Sequence, residues 1–245
     1  GLALELLDTT GLLPVLLHEV AALKRIEQSP VHHPEGNAFV HTRIMLDLFG
    51  GGPATLAFAI LLHDTGKAVT HASGGTAMFP RHEIAGAEIT LSVMKRLRLE
   101  NTVIERVCQM VRHHMRFMNV PHMKKTTLRR FLAEPGFDEL LELFRLDTLA
   151  RGGDMSIHSF LVEEVQKERT AEGSLALPAP LLSGRDLIAL GYEPGPFFKE
   201  MLDAVTDARI EGIIGTTSEA IRFVKERFPD RHSRKNRTRK STSRD

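Results

Sequence analysis

The chain has 245 residues, 42% apolar and 26% charged, an ordinary globular composition with length for one large domain or two small ones. It has no Trp and a single Tyr, which argues against an aromatic RNA-stacking sheet, and its one cysteine, Cys108, excludes an internal disulfide framework and an all-thiolate zinc site. The net charge of +1 hides an asymmetry, since residues 229–245 carry seven Lys/Arg against two Asp and leave the rest of the chain at −4; any metal chemistry must draw on the twelve histidines with Asp or Glu.

Apolar residues recur with a helical period almost throughout, and period-2 alternation is nearly absent. Leu12–Leu23 places Leu13, Leu16, Leu17 and Val20 on one face, with Pro14 at its start. Ala38–Phe49 carries a second stripe through Val40, Ile44 and Leu48. Gly50–Pro53 stops that helix, and the next, Ala54 to about Lys67, is apolar nearly all round and therefore expected to be buried. A loop is expected over His71–Pro80. Helices resume at Arg81–Leu97 and Asn101–Met115, the latter with Asn101 as the expected N-cap and Glu105 in its first turn. Thr126–Glu134 and Asp138–Arg151 follow, divided by Pro135-Gly136, and then Ser156–Glu172.

Leu175–Pro180 reads as a proline-containing connector, with three further helices at Gly184–Leu190, Pro196–Ile213 and Ser218–Phe228. The expectation is an all-α chain of ten or eleven helices. Its organisation is expected to be a domain with a helical lead-in over 1–174, a small helical subdomain over 175–228, and a basic, disordered tail over 229–245 able to contact nucleic acid phosphates. No apolar run approaches the roughly 20 residues of a membrane span, and no basic n-region precedes the Leu-rich start, so a cytoplasmic protein is expected. The first residue is Gly1 rather than Met, as expected of a processed, cloned or truncated product.

Chemistry concentrates at Leu61-Leu62-His63-Asp64-Thr65-Gly66-Lys67. An apolar helix does not tolerate adjacent ionisable groups unless something satisfies them, and a divalent cation would. His41 lies on the preceding helix. Asp147 sits among Leu140, Leu141, Phe144 and Leu146, where an acid is either a costly buried charge or a ligand. His41, His63, Asp64 and Asp147 offer two imidazoles and two carboxylates, a set suited to Mn, Mg, Ni, Co, Fe or Zn. A cation held there activates water near neutral pH and polarises a phosphoryl oxygen. Asp64 and Lys67 are the expected catalytic pair, Lys67 neutralising phosphate charge. His82, His113 and His114 are candidates for a second metal, with Asp64 bridging, or for phosphate contact. Lys124, Lys125, Arg129 and Arg130 form a basic cluster, either a solvated face or a weak RNA contact. The other histidines, His33 among them, are expected to be ordinary surface or loop residues.

The order His41, His63-Asp64, His82, His113-His114, Asp147 resembles the HD superfamily of metal-dependent phosphohydrolases over roughly residues 38–150. A wider resemblance runs through Thr10-Gly11-Leu12-Leu13-Pro14, His33-Pro34-Glu35-Gly36, Leu182-Ser183-Gly184-Arg185-Asp186-Leu187 and Gly191-Tyr192-Glu193-Pro194-Gly195-Pro196. It is to the C-terminal, HD-containing half of bacterial tRNA nucleotidyltransferases and poly(A) polymerases. The paired D-x-D of that family's nucleotidyltransferase head occurs nowhere in this sequence. Met115-Arg116-Phe117 stands where the HD-GYP subgroup has Gly-Tyr-Pro, and Asn37 where some two-metal relatives have Glu. The resemblance implies a divalent metal and a nucleotide or RNA phosphoester substrate, a 2′,3′-cyclic phosphate or phosphomonoester. It also implies a non-catalytic alternative, a tRNA-binding body whose nucleotidyltransferase domain lies upstream or on a separate chain.

Overall fold

The computed structural model describes residues 1–70, 79–172 and 177–229. Most of the His71–Pro80 loop, the start of the Leu175–Pro180 connector and nearly all of the basic tail lie outside the described residues. The described chain is all-α, without a strand. Its helices are α1 Leu2–Thr9, α2 Leu13–Leu16, α3 His18–Ala22, α4 Ala38–Phe49, α5 Ala54–Leu62, α6 Lys67–Thr70, α7 His82–Arg96, α8 Asn101–His113, α9 Lys125–Leu132, α10 Phe137–Ala150, α11 Ser156–Glu172, α12 Gly184–Ala189, α13 Phe197–Ile210 and α14 Thr217–Arg227. Two 3-10 segments, Leu23–Arg25 and His114–His122, join them.

The chain divides into two compact units. One is Gly1–Met123 with Glu134–Gly173; the other is Lys124–Ala133 with Ser174–Asp245. The linear division expected near residue 174 is thus interrupted, because α9 groups with the C-terminal helices. No described helix is long and apolar enough to cross a membrane.

In the first unit α4, α5, α8 and α10 pack on one another, with α7 against α8 and α6 against α7. Their core holds Met45, Ile60, Leu62, Met94, Val107, Val111, Leu143 and Leu146, all buried. Phe117 stacks on Phe144 at 4.4 Å between ring centroids. Asn37 caps α4 by accepting the Val40 N–H at 3.0 Å, and Gly50, in the left-handed region at φ +63°, ends it. In the second unit Leu187, Tyr192, Met201, Val205, Ala220 and Val224 form a separate apolar core. Its helices α12 and α14 start in reciprocal capping boxes, Ser183 with Asp186 and Thr216 with Glu219.

Three sequence expectations are corrected, and one helix was missed. The apolar helix from Ala54 stops at Leu62, not Lys67, where Gly66 packs against the start of α7; the Thr65 hydroxyl donates to the freed Leu62 carbonyl at 2.7 Å. Asn101 is the first helical residue of α8, not its cap; Glu100 holds that position, and no acid lies in the first turn. The helix expected over Leu12–Leu23 is broken into α2, α3 and a 3-10 turn, Leu17 lying outside helical geometry at φ −139°, ψ 61°. Helix α1 was not expected from the sequence, where Glu5 and Asp8 interrupt its leucines; Asp8 takes an ion pair from Lys24.

Candidate metal centre

The end of α5 turns His63 and Asp64 out of the helix and into the interior, where both are almost fully buried. This tight turn requires Gly66. A Cβ there would collide with the backbone carbonyl of His82 and lie 2.6 Å from the Gly86 nitrogen. The absent side chain lets the first turn of α7 lie against the His-Asp turn, and that brings His82 to Asp64.

Six ligand candidates converge from five elements: His41 from α4, His63-Asp64 from the turn after α5, His82 from the start of α7, His114 from the 3-10 segment and Asp147 from α10. Three imidazoles are pinned in one orientation. The Nδ1 of His63 meets the Ile60 carbonyl at 2.8 Å, that of His82 the Phe79 carbonyl at 2.9 Å, and that of His114 the Val111 carbonyl at 2.6 Å. A carbonyl only accepts, so each Nδ1 carries a proton, and in the neutral ring each Nε2 presents a lone pair. His41 is turned the same way by Glu35, whose Oε1 lies 2.6 Å from its Nδ1.

These lone pairs face other acceptors. His41 Nε2 lies 3.0 Å from Asp147 Oδ1, and His63 Nε2 lies 3.3 Å from Asp64 Oδ2. His82 Nε2 and His114 Nε2 face each other at 3.1 Å, and His82 Nε2 is 3.6 Å from Asp64 Oδ1. Acceptors this close repel unless a proton or a cation sits between them. Nε2 of His41 and of His63 are buried without a hydrogen-bond partner, as are Oε2 of Glu35 and Nε of Arg151. Three tight donor sets result among the described residues, His33 with Glu35 and His41, His41 with His63 and Asp64, and Asp64 with His82 and His114, each with ligand atoms within 4.8 Å of one another. Buried nitrogen and carboxylate donors with unmet acceptors fit a divalent cation, and Asp64 belongs to the last two sets.

The electrostatics follow from the same crowding. Burial opposes charge on His41, but Asp147 and Glu35 outweigh it and raise its pKa to about 9. Burial opposes charge on Glu35 as well, yet bonds to His41 and His33 draw it down to about 2. Burial raises Asp64, but His63 and Lys67 hold it well below the usual carboxylate range. Burial drives His114 down to about 3, with the neighbouring His63 and His82 adding to it and outweighing Asp64.

Lys67 is buried, not snorkelling to solvent. Its ammonium donates to Asp64 Oδ2 at 2.7 Å and to Gln28 Oε1 at 2.6 Å. The cluster opens into a pocket of about 240 Å³ lined by His33, Lys67, Phe79, Met115 and Arg151 beside the ligand candidates. His113 is a correction. It does not reach this pocket; it lines a separate cleft with Arg106, Gln109 and Glu134, because adjacent residues leave a helix end in different directions. Lys124, Lys125, Arg129 and Arg130 belong to the other unit. Lys124 and Lys125 are exposed, while Arg130 is engaged by Asp207 at 3.0 Å and Asp203 at 3.3 Å.

Four site residues were missed by sequence reasoning. His33, expected as a loop residue, binds Glu35 Oε1 at 2.9 Å and packs edge-on to the His41 ring. Glu35 and Gln28 come from the segment ahead of α4, and Arg151 lies one helical turn after Asp147, 3.4 Å from its Oδ2. Only Arg151 left a usable signal, its i, i+4 spacing from a buried acid.

A family model for the HD domain matches residues 31–152, which contain the whole cluster. The chain is 35% identical over 233 residues to a CC-adding tRNA nucleotidyltransferase of Thermus thermophilus, covering 90% of this chain and 51% of the relative. It is 32% identical over 232 residues to an A-adding tRNA nucleotidyltransferase of Deinococcus radiodurans, covering 89% of this chain and 52% of the relative. A multifunctional CCA protein of Halorhodospira halophila is 37% identical over 144 residues, 58% of this chain and 33% of the relative. The chain thus spans about half the length of the first two relatives. Residues 31–152 are an HD domain, in a chain homologous to the HD-containing region of CCA-adding tRNA nucleotidyltransferases.

Proposed function

We propose that the chain is an HD-type, divalent-metal-dependent phosphohydrolase acting on nucleotide or RNA phosphoesters, either 2′,3′-cyclic phosphates or phosphomonoesters. The observation that carries this reading is the facing of buried Nε2 atoms on carboxylates at His41–Asp147 and His63–Asp64, beside an open pocket. His41, His63 and Asp64, with Asp147 3.0 Å from His41, would hold one ion; Asp64, His82 and His114 would be the donors for a second. A bound divalent ion supplies Lewis-acid polarisation of the phosphoryl group and a water activated near neutral pH.

The chain's own residues do the rest. Glu35 fixes the His41 ring. The Ile60, Phe79 and Val111 carbonyls fix the other three. Lys67, held by Gln28, keeps positive charge against Asp64 and at the pocket wall, where developing phosphoryl charge is stabilised. A nucleotide or RNA substrate implies a cytoplasmic place of action. The test is hydrolysis of 2′,3′-cyclic AMP and p-nitrophenyl phosphate with Mn, Ni or Mg. Turnover is expected in the wild type and lost in Asp64→Ala; turnover unchanged by that substitution overturns the assignment.

A second reading is favoured by the reach of the homology, which covers about nine-tenths of this chain and so extends beyond the HD domain into the C-terminal unit. In it, the chain is the tRNA-binding body of a nucleotidyltransferase or poly(A) polymerase whose catalytic head is elsewhere. Metal content does not separate the two readings. Salt-sensitive tRNA binding without turnover favours the second.

A further inference from the structure

We propose that Arg151 is the phosphoryl-binding residue of the HD pocket, a role that rests on reading this pocket as a phosphoester site. Two cations line the pocket apart from the histidines, Lys67 and Arg151. They differ in what they have left to give. Lys67 is committed to Asp64 and Gln28 through two short hydrogen bonds. Arg151 makes one long contact, Nη2 to Asp147 Oδ2 at 3.4 Å, and its buried Nε–H has no partner.

A buried guanidinium donor without an acceptor costs free energy comparable to a lost hydrogen bond, and a ligand oxygen would recover it. The guanidinium edge offers parallel N–H groups, which match two oxygens of one phosphoryl group. The backbone turns sharply beside that side chain. Gly152 takes φ +62° at the end of α10, where a side chain would be strained. The turn is closed by the Gly153 N–H on the Thr148 carbonyl at 2.8 Å, which sets Gly153 over Arg151, so that a Cβ at Gly153 would lie 3.5 Å from Arg151 Nε.

Arg151 also sits one helical turn from Asp147. A phosphoryl group held by Arg151 would lie beside the carboxylate proposed as a metal ligand.

The test uses the full chain, first saturated with Mn²⁺ and then titrated calorimetrically with inorganic phosphate; if Mn²⁺ does not bind, the same titration is made on the metal-free chain. Arg151→Gln is expected to weaken phosphate binding roughly tenfold or more, with Mn²⁺ uptake unchanged. Arg151→Lys, which keeps the charge and guards against misfolding, is also expected to bind phosphate less tightly than the wild type, since it lacks the fork. Unchanged phosphate affinity in Arg151→Gln overturns the proposal, as does a wild type that binds no phosphate. Loss of Mn²⁺ uptake in Arg151→Gln overturns it too, because the arginine would then be serving Asp147. Phosphate binding that depends on Arg151 in a chain unable to hydrolyse p-nitrophenyl phosphate or 2′,3′-cyclic AMP leaves the proposal standing and overturns the hydrolase reading.

Discussion

The two units use polar residues in opposite ways. In the second unit polar groups meet their partners: Ser183 and Asp186, Thr216 and Glu219, and Arg130 with Asp203 and Asp207 stand at helix ends or on the surface, around an apolar core. In the first, His41, His63, Asp64 and Lys67 are driven into the interior beside an open pocket, and several of their atoms face acceptors or nothing. Burying such groups costs stability that apolar side chains would not, so the arrangement makes sense where a ligand completes it. The comparison separates a polar cluster awaiting a partner from polar groups that finish a fold.

Substitutions can break or sharpen that contrast. The largest effect is expected from Gly66→Ala, because its Cβ meets backbone that cannot move aside. Urea unfolding should show a loss of about 3 kcal/mol, and metal uptake should fall with it as His82 is displaced. A loss under about 1 kcal/mol would mean the turn and α7 are not locked together. Glu35→Gln keeps the shape of the side chain but removes the charge that orients His41. Metal affinity should drop about 10- to 100-fold in a calorimetric titration, while folding is kept; an unchanged affinity would separate Glu35 from the site.

In the second unit, Thr216→Ala removes half of a capping box and should cost about 1 kcal/mol in thermal unfolding, with metal binding untouched. Smallest of all, Arg130→Ala breaks ion pairs whose acids are half-exposed and should cost under about 1 kcal/mol. A metal-binding defect in either would erase the distinction between the units.

Acid adds a further check on the first unit. His114 is held down to about 3 in the folded chain against 6.5 when free, so the unfolded chain binds more protons between those values. The metal-free chain should therefore lose stability as pH falls from 6.5 toward 3. His114→Asn should flatten that slope in denaturant unfolding, and an unaltered slope would mean His114 is not buried as a neutral ring.

Much of this was legible in the sequence, for reasons that differ from residue to residue. Helical periodicity exposed the all-α class because nearly every helix has one apolar face. His63-Asp64 and Asp147 stood out because charge in an apolar stretch needs an explanation. His33 and Glu35 carried no such signal: they lie in a polar, proline-containing segment, and only the chain path ahead of α4 brings them to His41. His113 and His114 are indistinguishable as a dipeptide; the bond from His114 Nδ1 to the Val111 carbonyl decides which one enters the site. The break after Leu62 was hidden because His63, Asp64 and Thr65 continue a helix as readily as they end one, and the deciding contact, Gly66 against α7, is tertiary.

The most direct test of the account is a calorimetric Mn²⁺ titration of the full chain beside Asp64→Asn, with the unfolding temperature measured in both. Asp64 belongs to two of the donor sets while the substitution preserves size. The account predicts stoichiometric Mn²⁺ uptake and a rise in unfolding temperature for the wild type, with both lost in Asp64→Asn. Equal uptake by the two proteins, or none by the wild type, would contradict a metal centre at the HD cluster.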